Sequence, residues 1–299
     1  MKETILSRIS GWIDENSAIL ADANNAIWEF GETAFNEKCS SAYLKQVLEQ
    51  YGFRILPGAA GVPTSFVAEW GCGKPVIGLI SEYDALDGLS QDRCTERRPV
   101  RDGAPGHACG HCTLGAAVLG AALSLKTVME QDGLPGTLRF YGCPAEETVE
   151  GKVLMSRDRL FDDCDAALSW HPNDISYVWA RKSVALRSMK FTFSGKTAHA
   201  GLDPWNGRSA LDAVELMNVG ANYLREHVQP SCRIQYVITD GGKAPNIVPD
   251  RAQVWYTLRA PESALVDDMH QRLVNIAKGA SVIFGRKPLF RDAMPSSRI

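Results

Sequence analysis

Hydrophobic residues in the first part of the chain recur first at helical and then at strand-like spacing. The helical period over residues 3–50 predicts two helices, separated by a break near Gly31. Residues 64–70 and 76–80 alternate or run apolar in the manner of strands. The glycine- and proline-rich turn 71–75 lies between them, so we predict that the two strands form a hairpin.

The apolar pattern then alternates between helix and strand at regular intervals. Residues 111–129 are rich in Ala, Gly and Leu at helical spacing, and residues 137–141 form an apolar strand-like run. A helix over 149–158 and a strand over 166–170 complete the series. Such alternation predicts an α/β domain with a mostly parallel sheet and helices on its faces.

Beyond Ser176 the pattern changes to a different order of elements. The predicted elements are an extended segment over 177–193, a helix over 208–225, strands over 233–239 and 253–258, and a helix over 262–277. Two strand–helix–strand units of this kind predict a small open-faced α+β sandwich, and so a second domain at about 180 to 290.

Composition narrows the classes of partner. The chain has 299 residues, 45% of them hydrophobic and 22% charged, which is typical of a globular protein with a sizeable core. Its net charge of -3 leaves no basic stripe, so we expect a small-molecule substrate and no nucleic acid.

We also expect no membrane association. No uninterrupted apolar run approaches the roughly 20 residues that span a bilayer, and the first residues do not resemble a signal peptide, so a cytoplasmic location is expected. The eight cysteines are scattered through a chain of this size, which favours reduced thiols over a disulfide framework.

The segment from Gly106 to Cys112 can support two different chemistries. As Cys-x-x-Cys with an internal histidine it resembles a redox dithiol, and as Cys-x-His at the start of a helix it resembles half of a metal site. Further carboxylates and a histidine follow downstream, at Glu146, Glu147 and His171. This recurrence of metal-binding side chains favours the metal site.

The positions of these side chains strengthen that interpretation. Glu82 and Asp84 follow one predicted strand, Glu146 and Glu147 follow another, and His171 follows a third. In open α/β sheets, ligands bind beyond the carboxyl ends of the strands. We therefore expect these groups to converge there.

The dithiol remains the alternative chemistry for Cys109-Gly110-His111-Cys112. A helix start can lower the pKa of the first thiol in such a motif. However, Ala108 precedes the first cysteine where thioredoxin-like proteins have tryptophan, and the chain is far longer than that compact fold. The surroundings therefore favour the metal site.

Six segments, in order along most of the chain, carry a family resemblance. They are SEYDALDGLSQ (81–91), PGHACGHCTLGAA (105–117), CPAEET (143–148), SWHP (169–172), GKTAHAG (195–201) and TDGGKAPNIVPDRAQVWYTLRAP (239–261). Together they resemble the M20 family of metallo-amidohydrolases, in the branch that acts on aminobenzoyl-glutamate and N-acyl amino acids.

The resemblance implies a particular domain organisation. Residues 1–179 are expected to form the N-terminal part of a zinc-peptidase-like α/β catalytic domain. Residues 180–290 are expected to form an inserted, ferredoxin-like α+β lid that also dimerises. Family members continue further and supply a final histidine ligand, so residues 291–299 are expected to be a truncated return to an incomplete catalytic domain.

The resemblance also implies a site for two divalent ions, Zn²⁺ or Mn²⁺. Cys109 matches the ligand that bridges the two ions. The other matching metal ligands are His111, Glu147 and His171. A thiolate, two imidazoles and a carboxylate form a donor set that suits these metals.

Further roles are implied outside the ligand set. Glu146 matches the general base, and Asp84 matches an acid that supports the ligands. His199 in the lid matches a catalytic imidazole that reaches an active site across the dimer. Asn246 and Arg259 resemble substrate-binding positions.

The implied activity is hydrolysis of an amide by a metal-activated water. The expected substrate carries a carboxylate and is an N-acyl amino acid or a compound like aminobenzoyl-glutamate. A homodimer through the lid is expected, with a hetero-subunit as a further partner. The alternative is a truncated, non-catalytic remnant that acts only as a dimerising module.

Overall fold

The structure, a computed structural model, describes residues 4–178, 183–283 and 289–292. Contacts cluster within Met1–Val178, the first unit, and within Trp179–Ile299, the second unit. This division lies one residue before the predicted boundary between residues 179 and 180. The assignment of the two units as catalytic and lid domains stays a prediction.

Three helices, rather than the predicted two, precede the sheet of the first unit: α1 (Ile5–Glu15), α2 (Ser17–Phe30) and α3 (Lys38–Gln50). The break that sequence periodicity missed lies at Asn16, whose backbone N–H and side-chain amide both donate to Trp12 O, at 3.0 and 2.8 Å. A side chain that competes for a helix carbonyl in this way favours ending the helix.

Five strands form one mixed sheet in the order β1-β2-β4-β3-β5. Their bounds are β1 Arg54–Pro57, β2 Phe66–Cys72, β3 Val76–Glu82, β4 Gly136–Cys143 and β5 Ala166–Leu168. β3 is parallel to both β4 and β5, whereas β2 is antiparallel to β1 and β4. The predicted α/β class is confirmed.

The predicted hairpin of β2 and β3 is wrong, because β4 lies between them. β4 is buried along nearly all of its length, as expected for a central strand. In this position it forms hydrogen bonds with a neighbouring strand on each side. Close packing also restricts the residue type at one position of β4. A Cβ at Gly142 would lie 2.2 Å from Cε1 of Phe66, the residue opposite it on β2. Only glycine fits at that point.

Two further helices, α4 (His111–Asp132) and α5 (Gly151–Arg157), complete the first unit. α4 carries fully buried side chains such as Leu114, Leu119 and Leu123 into the core. By length and composition alone α4 would suffice to cross a membrane, but 67% of that apolar window is buried inside the unit. It is therefore the core helix that the parallel sheet needs.

The second unit has the order β6-α6-β7-β8-α7-β9 and a sheet of order β7-β8-β6-β9. The element bounds are β6 Ala185–Ser194, α6 Ala210–Leu224, β7 Arg233–Asp240, β8 Arg251–Ala260, α7 Ser263–Ile283 and β9 Leu289–Asp292. All three strand pairs are antiparallel, and both helices pack on one face. The predicted ferredoxin-like α+β fold is confirmed.

The last described strand, β9, pairs with β6 of the second unit and ends at Asp292, two residues beyond the predicted lid boundary. The remainder of the predicted return segment, residues 293–299, lies outside the described residues. So do residues 179–182 of the predicted extended segment.

Replacing Phe140 tests the central position of β4. Its ring is fully buried and stacks on Phe66 with 5.7 Å between centroids. We expect Phe140→Ala to lower the free energy of unfolding by about 3–5 kcal/mol, measured by urea denaturation. Leu6→Ala, at a side chain 73% exposed on α1, should change it by no more than about 0.5 kcal/mol. Equal losses would contradict the arrangement.

Candidate metal centre

The side chains of the candidate site come from loops that follow parallel strands and from the first turn of α4. Asp84 lies two residues beyond β3, Glu146 lies three beyond β4, and His171 lies three beyond β5. His111 is the first residue of α4. The carboxyl ends of these strands share one edge of the sheet, which accounts for the juxtaposition.

His111 lies at the centre of the cluster and is fully buried. Its Nδ1 lies 3.0 Å from Asp84 Oδ1 and 3.1 Å from Asp84 O, and because both oxygens only accept, Nδ1 carries the proton. In the neutral ring the lone pair is therefore on Nε2. This atom has no hydrogen-bond partner among the described residues and lies 3.3 Å from Glu82 Oε2 and 3.6 Å from Glu146 Oε2.

Cys109 and His171 form the second side of the cluster, with 3.2 Å between Sγ and Nε2. His171 Nδ1 donates to Pro172 O at 2.9 Å, so the Nε2 that faces the thiol bears the lone pair. The ligand atoms of Cys109, His111 and His171 all lie within 4.8 Å of one another, as do those of Glu82, His111 and Glu146. His111 thus belongs to two candidate ligand groups.

Glu147 is held in place by its backbone rather than by a cationic side chain. Its N–H donates to Asp84 Oδ2 at 2.9 Å, and its Oε1 lies 3.9 Å from His111 Nδ1. Within the described part of the chain Oε1 is buried and has no hydrogen-bond partner. Burial, and then the negative charges of Asp84 and Glu146, raise the pKa of the Glu147 carboxyl. A cation bound nearby would stabilise the ionised carboxylate and so lower this pKa.

A left-handed backbone at Gly110 joins two of the predicted ligands. Gly110 has φ +82° and precedes α4, so Cys109 lies outside the helix and His111 begins it. A Cβ at Gly110 would lie 3.0 Å from Cγ of Pro172, the neighbour of His171. Both the backbone angle and the close approach favour glycine here.

A second left-handed residue, Ala145, precedes the paired glutamates with φ 55°. The buried carboxylate of Glu37 stabilises it, because Oε1 accepts hydrogen bonds from the N–H groups of Ala145 at 2.8 Å and Phe35 at 2.9 Å. A strained backbone held in this way is typical of functional loops. Sequence reasoning missed Glu37, which is 108 residues from Ala145 and shares no motif with it.

Sequence reasoning placed Glu82 at this edge of the sheet without giving it a role, and it missed Lys152. Glu82 ends β3 and is only 5% exposed, and its Oε1 is paired with Lys152 Nζ. The spacing of Glu82 and Asp84 was the available signal, since residues i and i+2 on an extended segment lie on the same side. Nothing local in the sequence identifies Lys152 as the partner.

The thiols do not support the dithiol alternative. Burial, followed by the charges of Glu147 and Glu146, raises the pKa of Cys109 to about 12, and burial also raises the pKa of Cys112. Reactive redox thiols have lowered pKa values instead. All eight cysteines are free, and Cys112 is buried beside Thr113 whereas Cys109 faces His171.

The predicted lid residues are all exposed and fall at two ends of the second unit. His199 bridges to Ile247, and Ala200 N–H donates to Asn246 O at 3.0 Å, so His199 and Asn246 lie side by side. Arg259 lies near the other end of β8, eight residues beyond Arg251, or about 26 Å along the strand. One copy of the unit does not bring Arg259 to the other two.

The donor set of the first unit fits a divalent metal. His111 Nε2, Glu82 Oε2 and Glu147 Oε1 are buried atoms that find no hydrogen-bond partner among the described residues. In their ionised or neutral-ring forms all three are lone-pair acceptors, which a cation can satisfy whereas a further hydrogen-bond acceptor cannot. Imidazole, thiolate and carboxylate together are the ligands of zinc and related metals.

Comparison with known proteins finds similar proteins for both parts of the chain. Residues 183–282 match the family model of the M20 peptidase dimerisation domain. The chain is 44% identical over 264 residues to a subunit of p-aminobenzoyl-glutamate hydrolase from Escherichia coli (strain K12). Residues 183–282 therefore carry an M20 peptidase dimerisation domain. This alignment covers 88% of the chain and 55% of the relative, so the chain spans little more than half of that protein's length.

Solved structures show the M20 fold over nearly the whole chain. An aminobenzoyl-glutamate utilization protein from Klebsiella pneumoniae has a TM-score of 0.69 and 18% identity, over 96% of this chain and 78% of that one. A dinuclear metal-binding M20 peptidase from Bacillus subtilis has a TM-score of 0.61 and 21% identity, over 94% and 76% respectively. At these identities the likeness shows the fold.

Thermal unfolding tests the donor cluster directly. Zn²⁺ at about 100 times its dissociation constant should stabilise the chain by about 2.7 kcal/mol, because the native state alone gathers the ligands. Cys109→Ala should remove most of this gain, measured as the shift in melting temperature with and without Zn²⁺. The control Cys72→Ala changes an exposed cysteine and should keep it. A shift that survives Cys109→Ala would exclude this thiol as a ligand.

Proposed function

We propose that this chain is an M20 enzyme that carries out metal-dependent hydrolysis of an amide bond. The proposed substrate is an N-acyl amino acid or a compound like aminobenzoyl-glutamate, with a carboxylate on the amine side. The relative from Escherichia coli, which is named as part of a p-aminobenzoyl-glutamate hydrolase, supports this substrate class.

One observation carries the proposal: Nε2 of the buried His111 has no hydrogen-bond partner among the described residues and faces the carboxylate of Glu82. His111 also forms a candidate ligand group with Cys109 and His171. In the proposed centre Cys109, His111, His171 and Glu147 hold two divalent ions, Zn²⁺ or Mn²⁺. When bound, these ions polarise the amide carbonyl and lower the pKa of a water toward neutrality.

Glu146 has the position that a general base requires. Its side chain remains 30% exposed, whereas the side chains of His111 and Asp84 are fully buried. Its Oε2 lies 3.6 Å from His111 Nε2, so the carboxylate reaches the cluster without being enclosed by it. We assign Glu146 to take a proton from the attacking water and to give it to the leaving amine nitrogen.

His199 is suited to donate a hydrogen bond to the carbonyl oxygen as negative charge develops there. Gly201 N–H donates to its Nδ1 at 3.1 Å, so the proton of the neutral ring is on the exposed Nε2. Asn246, next to His199, would add a polar contact to the substrate. Arg259 would bind the substrate carboxylate through its planar guanidinium.

The separation of these lid residues supports a dimeric site. Asn246, with His199 beside it, precedes β8 at its Arg251 end, and Arg251 lies about 26 Å along the strand from Arg259. This distance exceeds the length of a small amide. We therefore assign His199 and Asn246 to one site and Arg259 to the other, with a second copy completing each. The dimerisation-domain match at 183–282 supports a homodimer, and the naming of the Escherichia coli relative as one subunit of a hydrolase supports a hetero-subunit alternative. A cytoplasmic location remains part of this proposal.

Replacing Glu146 tests the proton-transfer role. Glu146→Gln should lower kcat for aminobenzoyl-glutamate or an N-acyl amino acid by about 100- to 10,000-fold, because the amide side chain cannot accept the proton. The bound metal, measured by mass spectrometry of dialysed protein, should stay unchanged. Glu130→Gln replaces an exposed glutamate that pairs with Lys126 on α4 and serves as the control. Full activity of Glu146→Gln would exclude the role.

Mixing two inactive variants tests the exchange of residues between subunits. Dimers formed by refolding His199→Ala and Glu146→Gln together should recover about a quarter of wild-type activity, since half are mixed and each mixed dimer has one intact site. Each variant refolded alone is the control. No recovery, in mixtures shown to contain mixed dimers, would place His199 at the site of its own chain.

A dimer that binds no metal and hydrolyses none of these amides would favour the alternative, in which the chain is a dimerising module only.

A further inference from the structure

Glu82 is a charged side chain at the metal centre to which the proposed mechanism gives no part. It is the last residue of β3, and its carboxylate is 7% exposed. Oε1 is paired with Lys152 Nζ, whereas Oε2 is buried and has no hydrogen-bond partner in the described residues. Lys152 thus binds one oxygen of the carboxylate, and the other oxygen, Oε2, does not face this lysine.

The unpartnered oxygen lies beside the unpartnered nitrogen of His111, at 3.3 Å from Nε2. In the neutral ring, with Nδ1 protonated toward Asp84, Nε2 offers only a lone pair and cannot donate a hydrogen bond to Glu82 Oε2. Glu146 Oε2 is the third member of the group, and all three ligand atoms lie within 4.8 Å of one another. Three acceptors that face each other repel one another, and a cation that lies among them removes this repulsion.

We propose that Glu82 is a further ligand of the centre, bound through Oε2 to the cation that His111 Nε2 holds, and that Lys152 is its positioning residue. Lys152 fixes the carboxylate through Oε1 and leaves Oε2 free for the metal. This inference rests on the proposed metal centre, and it goes beyond it by assigning a ligand at the end of β3 and a lysine that orients it.

A purely structural role for the same pair makes a different prediction. If the ion pair only stabilised β3 against α5, its removal would lower the melting temperature equally with and without metal, and metal affinity would not change. A ligand instead couples its substitution to the metal, since the partners that orient metal ligands affect affinity by about 10- to 100-fold.

The experiment measures Zn²⁺ affinity of the full chain by competition with a chromogenic chelator, together with the visible spectrum of the Co²⁺ form. Glu82→Gln should weaken one of the two Zn²⁺ equivalents by about tenfold or more and change the Co²⁺ bands, because the coordination of that ion changes. Glu130→Gln, the exposed glutamate of the Lys126 pair, should change neither.

Lys152 should act only through Glu82. Lys152→Met should weaken Zn²⁺ binding by about tenfold in the wild-type background and by less than about twofold in the Glu82→Gln background. Lys152→Arg keeps a positively charged donor and should retain most of the affinity. Unchanged Zn²⁺ affinity and Co²⁺ bands in folded Glu82→Gln would overturn the proposal, as would equal effects of Lys152→Met in both backgrounds.

These results separate this inference from the proposed hydrolysis. Wild-type chain that binds no Zn²⁺ overturns both. Zn²⁺ binding that depends on Cys109 and hydrolysis that depends on Glu146, together with unchanged Zn²⁺ affinity in Glu82→Gln, overturn the role of Glu82 alone. Loss of affinity in Glu82→Gln in a chain without amide hydrolysis supports the ligand and overturns the activity.

Discussion

The buried carboxylate of Asp84 organises the chemistry of the first unit. One oxygen accepts the Nδ1 proton of His111, and the other accepts the backbone N–H of Glu147. A single side chain therefore links the end of β3 to the start of α4 and to the loop after β4. Because the proton is held at Nδ1, the lone pair of the imidazole faces the acidic side of the cluster.

The sheet topology makes this convergence possible. β3 is parallel to both β4 and β5, so the segments after these three strands leave from the same edge. The antiparallel strands β1 and β2 lie on the other side of β4 and supply core rather than ligands. Gly110 and Ala145 then turn the chain sharply at the points where predicted ligands follow. Glycine adopts the left-handed backbone at Gly110 without strain, whereas at Ala145 that backbone is the local cost of directing several donors into one place.

The sequence was informative where chemistry and local pattern coincide. The helical period of α4, the alternation of elements in the first unit and the polar residues at strand ends all follow from short-range patterns. The break at Asn16 was missed because one side-chain hydrogen bond to Trp12 O interrupts an otherwise continuous period. The position of β4 was missed because strand order depends on burial across the whole sheet, and two strands joined by a turn favour a hairpin locally.

The candidate site shows the same division. His111 and Asp84 carry a pattern that points to their chemistry, whereas Glu37 and Lys152 act through contacts 108 and 70 residues away in sequence. Most lysines are exposed and have no specific partner, so the sequence around Lys152 does not distinguish it from an ordinary surface lysine. Only the three-dimensional arrangement shows that Lys152 is paired with the largely buried carboxylate of Glu82.

Charge balance connects the site residues to the number of cations that they would hold. The groups that can be anionic are Glu82, Asp84, Glu146, Glu147 and the thiolate of Cys109, and the ammonium beside them is Lys152. With His111 neutral, five anions and one ammonium leave four negative charges, which two divalent ions neutralise. Uncompensated charges in a buried place are costly, so the metal-free cluster keeps protons that it gives up to metal, as the raised pKa of Cys109 indicates. Lys152 brings the total charge to zero, because without it two divalent ions would leave one negative charge in excess.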